Sequence, residues 1–194
     1  MEISIEVVKA LREKTGLSVM QCKKALEETA GDIDKAEVIL RKRSSEAADK
    51  KSDREIGAGA IGMYLHDNAI GSMVLLSCET DFVSKNPEFE TLARELAMHV
   101  AATNPNYLSE NDILPEEKEA AFAVFKVEVQ DKPVEMQEKI LQGKMDSYFR
   151  DFVLLNQSYI KDESKNIKQL IDEASQKFGE RIEVSKFARF SARG

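Results

Sequence analysis

The stretch IGSMVLLSCETDFVSKNP, residues 70–87, decides the fold. Residues 70–76 are an apolar run of strand length, and Asn86-Pro87 pairs a side-chain cap with a proline at the first helical position, which opens a helix. Residues 80–85 therefore read as a strand-to-helix loop, with Phe82 beside Asp81 and no evident core for the ring to enter. Exposed loop tips carry function more often than packing, and a rigid aromatic at such a tip is the usual anchor of a protein interface. The alternative is a Phe82 folded back as a lid over the sheet, in keeping with the common burial of phenylalanine.

Upstream of this stretch the pattern has period two. Ile61, Met63 and Leu65 alternate before His66-Asp67-Asn68-Ala69, whose polar residues tolerate positive φ, so the chain predicts a β-hairpin. Downstream, one helix carries Phe89, Leu92, Leu96 and Val100 on a face, and another opens near Pro115 with Phe122, Phe125 and Val129. Pro133 opens a third that Gly143 closes, and Met145, Tyr148, Phe149, Phe152 and Leu155 mark the next. The last, capped by Ser164, carries Ile167, Leu170, Ile171, Ala174 and Phe178 and stops at Gly179. Ile182 and Val184 then alternate until Phe187 breaks the period, which predicts a bulge in a final strand. The expected core is α+β, over residues 56–194, with a small antiparallel three-stranded sheet covered by helices on one face.

Residues 1–42 read as three short helices. Ile5, Val8 and Leu11 share a face of the first, which Gly16 ends; Ser18 and Gln21 form a capping box for the second, which packs Val19, Cys22, Ala25 and Leu26. Asp32 caps the third, with Ile33, Ala36, Ile39 and Leu40 inward. Leu17 and Met20 either form an exposed apolar patch or plug the core. A bundle this small usually exists to present a surface. Residues 41–54 mix Arg41, Lys42, Arg43, Lys50, Lys51 and Arg54 with Ser, Ala and three acidic residues, and read as a solvated helical extension or a basic linker, assigned to residues 43–55.

A chain of 194 residues holds one large or two small domains, and the linker favours two. Charged residues are 32% and the net charge is -7, which suits a soluble protein and argues against a nucleic-acid footprint; the basic run lacks the aromatics and glycines of single-strand binders. Met1-Glu2-Ile3-Ser4 begins no targeting segment and no stretch reaches the roughly 20 apolar residues of a membrane span, so a cytoplasmic protein is expected. Cys22 and Cys78 fall in different expected domains and read as free thiols.

His66, Cys78 and Asp81 are the residue types of a thiol hydrolase, but Cys78 closes an apolar strand, where a small buried cysteine is the commoner case. His66 reads as a turn residue, and His66 with His99 offers no zinc-ligand spacing. Gly57-Ala58-Gly59-Ala60-Ile61-Gly62 precedes its strand instead of joining strand to helix, so it is no phosphate cradle. The expectation is a protein that is not an enzyme and takes no metal, cofactor or nucleotide of its own.

Two separated segments carry a specific likeness: Leu11-Arg12-Glu13-Lys14-Thr15-Gly16 with Cys22-Lys23-Lys24-Ala25-Leu26, Gly31-Asp32 and Leu40-Arg41, and then Glu79-Thr80-Asp81-Phe82-Val83. A weaker match lies in Asn156-Gln157-Ser158-Tyr159-Ile160-Lys161-Asp162 and Phe187-Ala188-Arg189-Phe190, and residues 108–142 are the vaguest part. With these motifs the chain resembles the translation elongation factor Ts family, guanine nucleotide-exchange factors of the GTPase elongation factor Tu. The resemblance implies a UBA-like N-terminal bundle and a loop that enters beside the magnesium site of the GTPase and promotes GDP release. It assigns magnesium dislocation to Thr80, Asp81, Phe82 and Val83, and a second partner contact to Arg12, Val19, Met20 and Lys23 on the bundle. Relatives usually show Glu-Gly at the first core strand and Glu-x-Asn before the cysteine, where this chain has Ala58-Gly59 and Leu75-Leu76-Ser77. It is similar to the shorter members, without the duplicated core half, which leaves a homodimer open. The rival reading is a non-exchanging adaptor that binds a ubiquitin-like or helical partner through Leu17 and Met20.

Overall fold

Ser4, Ser18 and Asp32 each cap a helix in the computed structural model, which describes residues 3–131 and 133–192. Helix α1 (Ile5–Thr15) ends at Gly16, whose φ of 69° is a conformation glycine adopts without a Cβ penalty. Helix α2 (Val19–Glu28) opens with the expected capping box: the Gln21 amide donates to Ser18 Oγ at 3.3 Å, and the Ser18 amide to Gln21 Oε1 at 3.0 Å. Asp32 Oδ1 accepts from the Lys35 amide at 3.1 Å at the start of α3 (Ile33–Asp49). Val8, Leu11, Leu17, Cys22, Leu26 and Leu40 form the bundle core. Ile5 and Val19, expected on the inward faces, are exposed. The bundle core closes on Val8, Leu11, Cys22 and Leu26, with Ile3, Val7, Ile33 and Ile39 packed around it, and neither of these two first-turn side chains is among them.

Strands β1 (Ala58–His66) and β2 (Ile70–Cys78) form the expected hairpin, with Asp67 and Asn68 at φ of 49° and 54° in its turn. Residues 80–85, read as loop, contain one turn of helix, α4 (Asp81–Ser84): Thr80 Oγ1 caps the Val83 amide at 3.4 Å. Asn86 then caps α5 (Pro87–Thr103), whose Phe89, Leu92, Leu96 and Val100 are buried as the periodicity requires. The helix lies so close to β1 that a Cβ at Gly62 would collide with the Ala93 carbonyl. Ala58, Ala60 and Gly62 therefore face the helix layer, with Tyr64 packed on the same side, and Ile61, Met63 and Leu65 point to the opposite face and stay exposed.

Helix α6 (Pro115–Glu128) and helix α7 (Val134–Arg150) pair through an edge contact of Phe125 on Tyr148, with ring centroids 5.5 Å apart. Phe122, expected inward, is exposed. Gly143 does not end a helix: α7 runs through it and joins the two helices expected on either side. A mid-helix glycine costs only about 1 kcal/mol relative to alanine, which packing of the last turn around Phe149 outweighs. Strands β3 (Ser158–Tyr159) and β4 (Asp162–Asn166) make a short ribbon too polar to show alternation in the sequence. Ser164 lies in that ribbon, where its hydroxyl donates to Asp162 Oδ1 at 2.7 Å. The cap of α8 (Ile167–Phe178) is Asn166, which forms a capping box with Gln169.

Gly179, at φ 77°, turns the chain from α8 into β5 (Ile182–Ser191). The sheet order is β1-β2-β5, antiparallel throughout. The expected bulge is present: pairing jumps from Leu75↔Lys186 to Leu76↔Val184. The protein is thus α+β, with Val74, Leu76, Phe89, Leu96, Ile171 and Val184 in one core between sheet and helices. His99 is buried there, with Gln157 Oε1 3.0 Å from Nε2 and the Ile160 amide donating to Nδ1 at 3.4 Å; burial lowers its pKa, so the neutral ring pins the ribbon to α5.

The segment read as a solvated extension or linker is helical to Asp49, and its inner side is engaged. Arg41 Nη1 donates to the Ser164 carbonyl at 2.6 Å, Ser45 Oγ to Asp172 Oδ2 at 2.6 Å, and Lys51 Nζ to the Ser175 carbonyl at 2.8 Å. Burial is the main cause that lowers the Lys51 pKa.

Two glycines should respond oppositely to alanine. Gly62→Ala should destabilise by about 1–3 kcal/mol or more, because helix and strand backbones must separate. Gly143→Ala, whose Cβ meets open space on a helix, should stabilise by about 0.5–1 kcal/mol. Urea unfolding of both variants checks the signs.

Candidate partner-binding surfaces

A turn of helix advances about 100° per residue, so within α4 two residues face outward and two inward. Phe82 is 83% exposed, while Val83 is 4% exposed and packs in the core. The ring does not fold back as a lid; it stands on a turn anchored from beneath. Asp81 is also exposed and pairs with Lys85 Nζ at 2.7 Å, and that lysine's hydrogen bond holds the carboxyl below its usual range. The Thr80 carbonyl accepts from Cys78 Sγ at 3.2 Å. Glu79 accepts from the Arg181 amide and from Arg54 Nη1 at 3.1 Å, and the Arg181 bond is the larger cause of its lowered pKa.

The bundle residues lie on other elements. Arg12 is in the last turn of α1, and Val19 and Lys23 sit one turn apart on α2 with Met20 beside them; all four are exposed, Met20 to 78%. Lys23 pairs loosely with Glu27 Oε1 at 3.9 Å. Leu17 is 3% exposed, so it belongs to the core and leaves Met20 without the companion that the adaptor reading assumed.

A third surface was not foreseen. Ile61, Met63, Leu65, Met73, Leu75 and Phe190 stand exposed on the face of the sheet away from α5. Period two in β1 was legible; which phase of it faces the helices depends on Gly62. Arg54 and Arg181, which hold Glu79, carried no local signal either, since the contacts join segments roughly 25 and 100 residues apart.

His66, Cys78 and Asp81 do not converge. His66 pairs with Ile70 and Cys78 with Ala58, at opposite ends of the hairpin, about 26 Å apart at 3.3 Å per residue. Cys78 is buried, and desolvation first, then the Glu180 charge, pushes its thiol pKa up. His66 stacks on Tyr64. Gly59 and Gly62 lie within β1, joined to β2, and not in a strand-to-helix turn. Among the described residues no group of three or more His, Cys, Asp or Glu is placed to hold a metal.

The bundle, the one-turn helix and the sheet face each aim apolar side chains outward. The family model described as Elongation factor TS matches residues 10–193. The chain is 46% identical to Elongation factor Ts of Thermodesulfovibrio yellowstonii over 98% of this chain and 96% of that one. It is 44% identical to that of Thermotoga neapolitana, over 98% and 97%, and 45% identical to that of Leptospira biflexa over the whole of both. The chain belongs to the elongation factor Ts family, and so to the factors of protein biosynthesis.

The buried thiol should be inert in the folded protein. In a Cys22→Ala background, a disulfide reagent should modify folded Cys78 far more slowly than a free thiol near neutral pH, with reactivity rising only at a pH above the ordinary thiol range, because the raised pKa keeps the buried sulfur protonated. Rapid stoichiometric labelling near neutral pH would show a reactive thiolate instead.

Proposed function

We propose that this chain is a guanine nucleotide-exchange factor that binds elongation factor Tu with GDP, displaces its magnesium and promotes GDP release in translation elongation. The observation that carries the reading is Phe82, an exposed ring on a turn whose next residue is buried. Thr80 and Val83 shape the turn, and Asp81 and Phe82 act. GDP is held largely through a magnesium ion that neutralises its phosphates, so a small displacement of the elements behind that ion removes much of the nucleotide's electrostatic binding. A factor that binds the nucleotide-free GTPase better than the GDP form must in turn be weakened by nucleotide to the same degree.

The wedge needs help. Burying one phenylalanine is worth roughly 1.5–3 kcal/mol, whereas a thousandfold loss of nucleotide affinity needs about 4 kcal/mol. Arg12, Val19, Met20 and Lys23 supply further attachment from the bundle, in a division of labour between a bundle at residues 1–42, a segment at 43–55 and a core at 56–194. The chain makes and breaks no covalent bond, takes no cofactor, and leaves the nucleotide to its partner; a net charge of -7 disfavours RNA. Among the described residues no helix is long and apolar enough to cross a membrane, which suits work in the cytoplasm.

Substoichiometric protein should accelerate release of fluorescent GDP from elongation factor Tu many-fold, and excess magnesium should slow it. Phe82→Ala should lose most of that stimulation while its melting temperature stays nearly unchanged, whereas loss of a buried phenylalanine would cost about 3–5 kcal/mol and several degrees. Asp81→Ala should be milder, and Met20→Ala should raise the half-saturating concentration more than it lowers the maximal rate. A Phe82→Ala protein that folds and exchanges normally overturns the reading.

A homodimer has a surface available in the open sheet face. Two such faces stack at about 10 Å with their side chains interdigitated, and a two-fold axis lets the same patch serve both copies. Sedimentation should show a dimer, and Met63→Asp, at the centre of the patch opposite Met73, should yield a folded monomer.

A further inference from the structure

We infer that Glu180 is a positioning residue for the exposed ring: its carboxylate clamps residues 79 and 80 so that α4 presents Phe82 in one orientation. The purpose rests on the exchange-factor reading above; the clamp itself is geometry.

A helix of four residues cannot sustain itself, because nucleation orders several residues for few hydrogen bonds. Beyond its cap, α4 has the Ser84 amide on the Thr80 carbonyl and the Lys85 amide on the Asp81 carbonyl, each at 3.2 Å. Burial of Val83 and Ser84 fixes where the turn sits, and Glu180 adds directional bonds at its start. Glu180 follows Gly179, so the left-handed turn that ends α8 also delivers its side chain to the exit of β2. Oε2 accepts from the Glu79 amide at 3.1 Å and the Thr80 amide at 3.0 Å, and Oε1 accepts from Thr80 Oγ1 at 2.6 Å.

The third bond acts at a distance. By giving its proton to Glu180, the Thr80 hydroxyl turns its lone pairs toward the Val83 amide, which it caps at 3.4 Å. The carboxylate thus sets the rotamer of the residue that starts the turn. The arrangement is reciprocal: Glu79 accepts from the Arg181 amide, and Arg181 Nη1 reaches the Arg54 carbonyl at 2.7 Å. Residues 79–80 and 180–181 therefore exchange carboxylate-to-amide bonds in both directions. Bonds to a charged acceptor are roughly twice as strong as neutral ones and are directional, which a hydrophobic contact is not. Three donors converge on Glu180, and glutamine has one acceptor oxygen to offer where glutamate has two.

The test compares the full chain with Glu180→Ala, Glu180→Gln, Phe82→Ala and the Glu180→Ala/Phe82→Ala double variant. Three things are measured: amide hydrogen exchange without any partner, thermal melting, and stimulated release of fluorescent GDP from elongation factor Tu across factor concentration. In Glu180→Ala the amides of Thr80 and Val83 should exchange about tenfold faster, with the centres of α5 and β2 unchanged. Its maximal stimulated rate should fall about tenfold, with a smaller change in half-saturating concentration, and Glu180→Gln should recover part of the loss. The double variant should be no worse than Phe82→Ala, since Glu180 acts through that ring. Unchanged exchange at residues 79–83, losses that multiply in the double variant, or uniform acceleration of every amide with a lowered melting temperature would each overturn the positioning role. If the unmodified chain fails to stimulate GDP release, the exchange reading falls, and the amide exchange still decides whether Glu180 holds the turn.

Discussion

Helix α5 and strand β1 approach until backbone meets backbone at Gly62 and Ala93. Only a residue without a side chain allows that distance, and much of the remaining structure follows from it. With α5 so near at Gly62, β1 offers Ala58 and Ala60 to the helix layer, Tyr64 packs on the same side further along the strand, and Ile61, Met63 and Leu65 turn to the open face. The large core side chains come instead from β2, α5 and α8, around Leu76, Phe89 and Ile167. Because only Lys85 and Asn86 separate α4 from α5, the same approach places the exposed turn at the rim of the sheet.

The two ends of the fold are tied more firmly than their spacing along the chain suggests. Arg41, Ser45 and Lys51 on or just after α3 bond to β4 and α8, and Arg54 reaches Glu79 beside the turn. Exposed ion pairs contribute little each, but bonds to backbone carbonyls fix direction and leave fewer relative orientations of the bundle and core. On the proposed function this matters. Binding energy gathered by the bundle can be spent on displacing a magnesium ion elsewhere only if the bodies between them do not yield.

Local rules read well wherever a cap or a left-handed residue was at stake. The Ser18–Gln21 box, the stops at Gly16 and Gly179, the turn at Asp67-Asn68 and the bulge before Phe187 were all legible, because each depends on residues within a few positions of one another. Gly143 passed for a stop because its propensity was weighed without the packing around Phe149, and Ser164 passed for a cap because the ribbon that occupies it was invisible. The turn at α4 was missed since a one-turn helix has no period to detect.

By itself the amino-acid sequence determined the three capped helices of the bundle, the antiparallel hairpin, the inward face of α5, the buried thiols and, through its motifs, the family. These depend on alternation, caps and residue type, which are properties of neighbours in the chain. The tertiary structure alone decided which phase of β1 faces solvent, that Leu17 is buried while Met20 is exposed, that residues 41–51 pack on the core, and that Glu180 holds the turn bearing Phe82. Each of those is settled by a contact between segments far apart in the chain, where steric exclusion and hydrogen-bond direction act, and neither is written in local pattern.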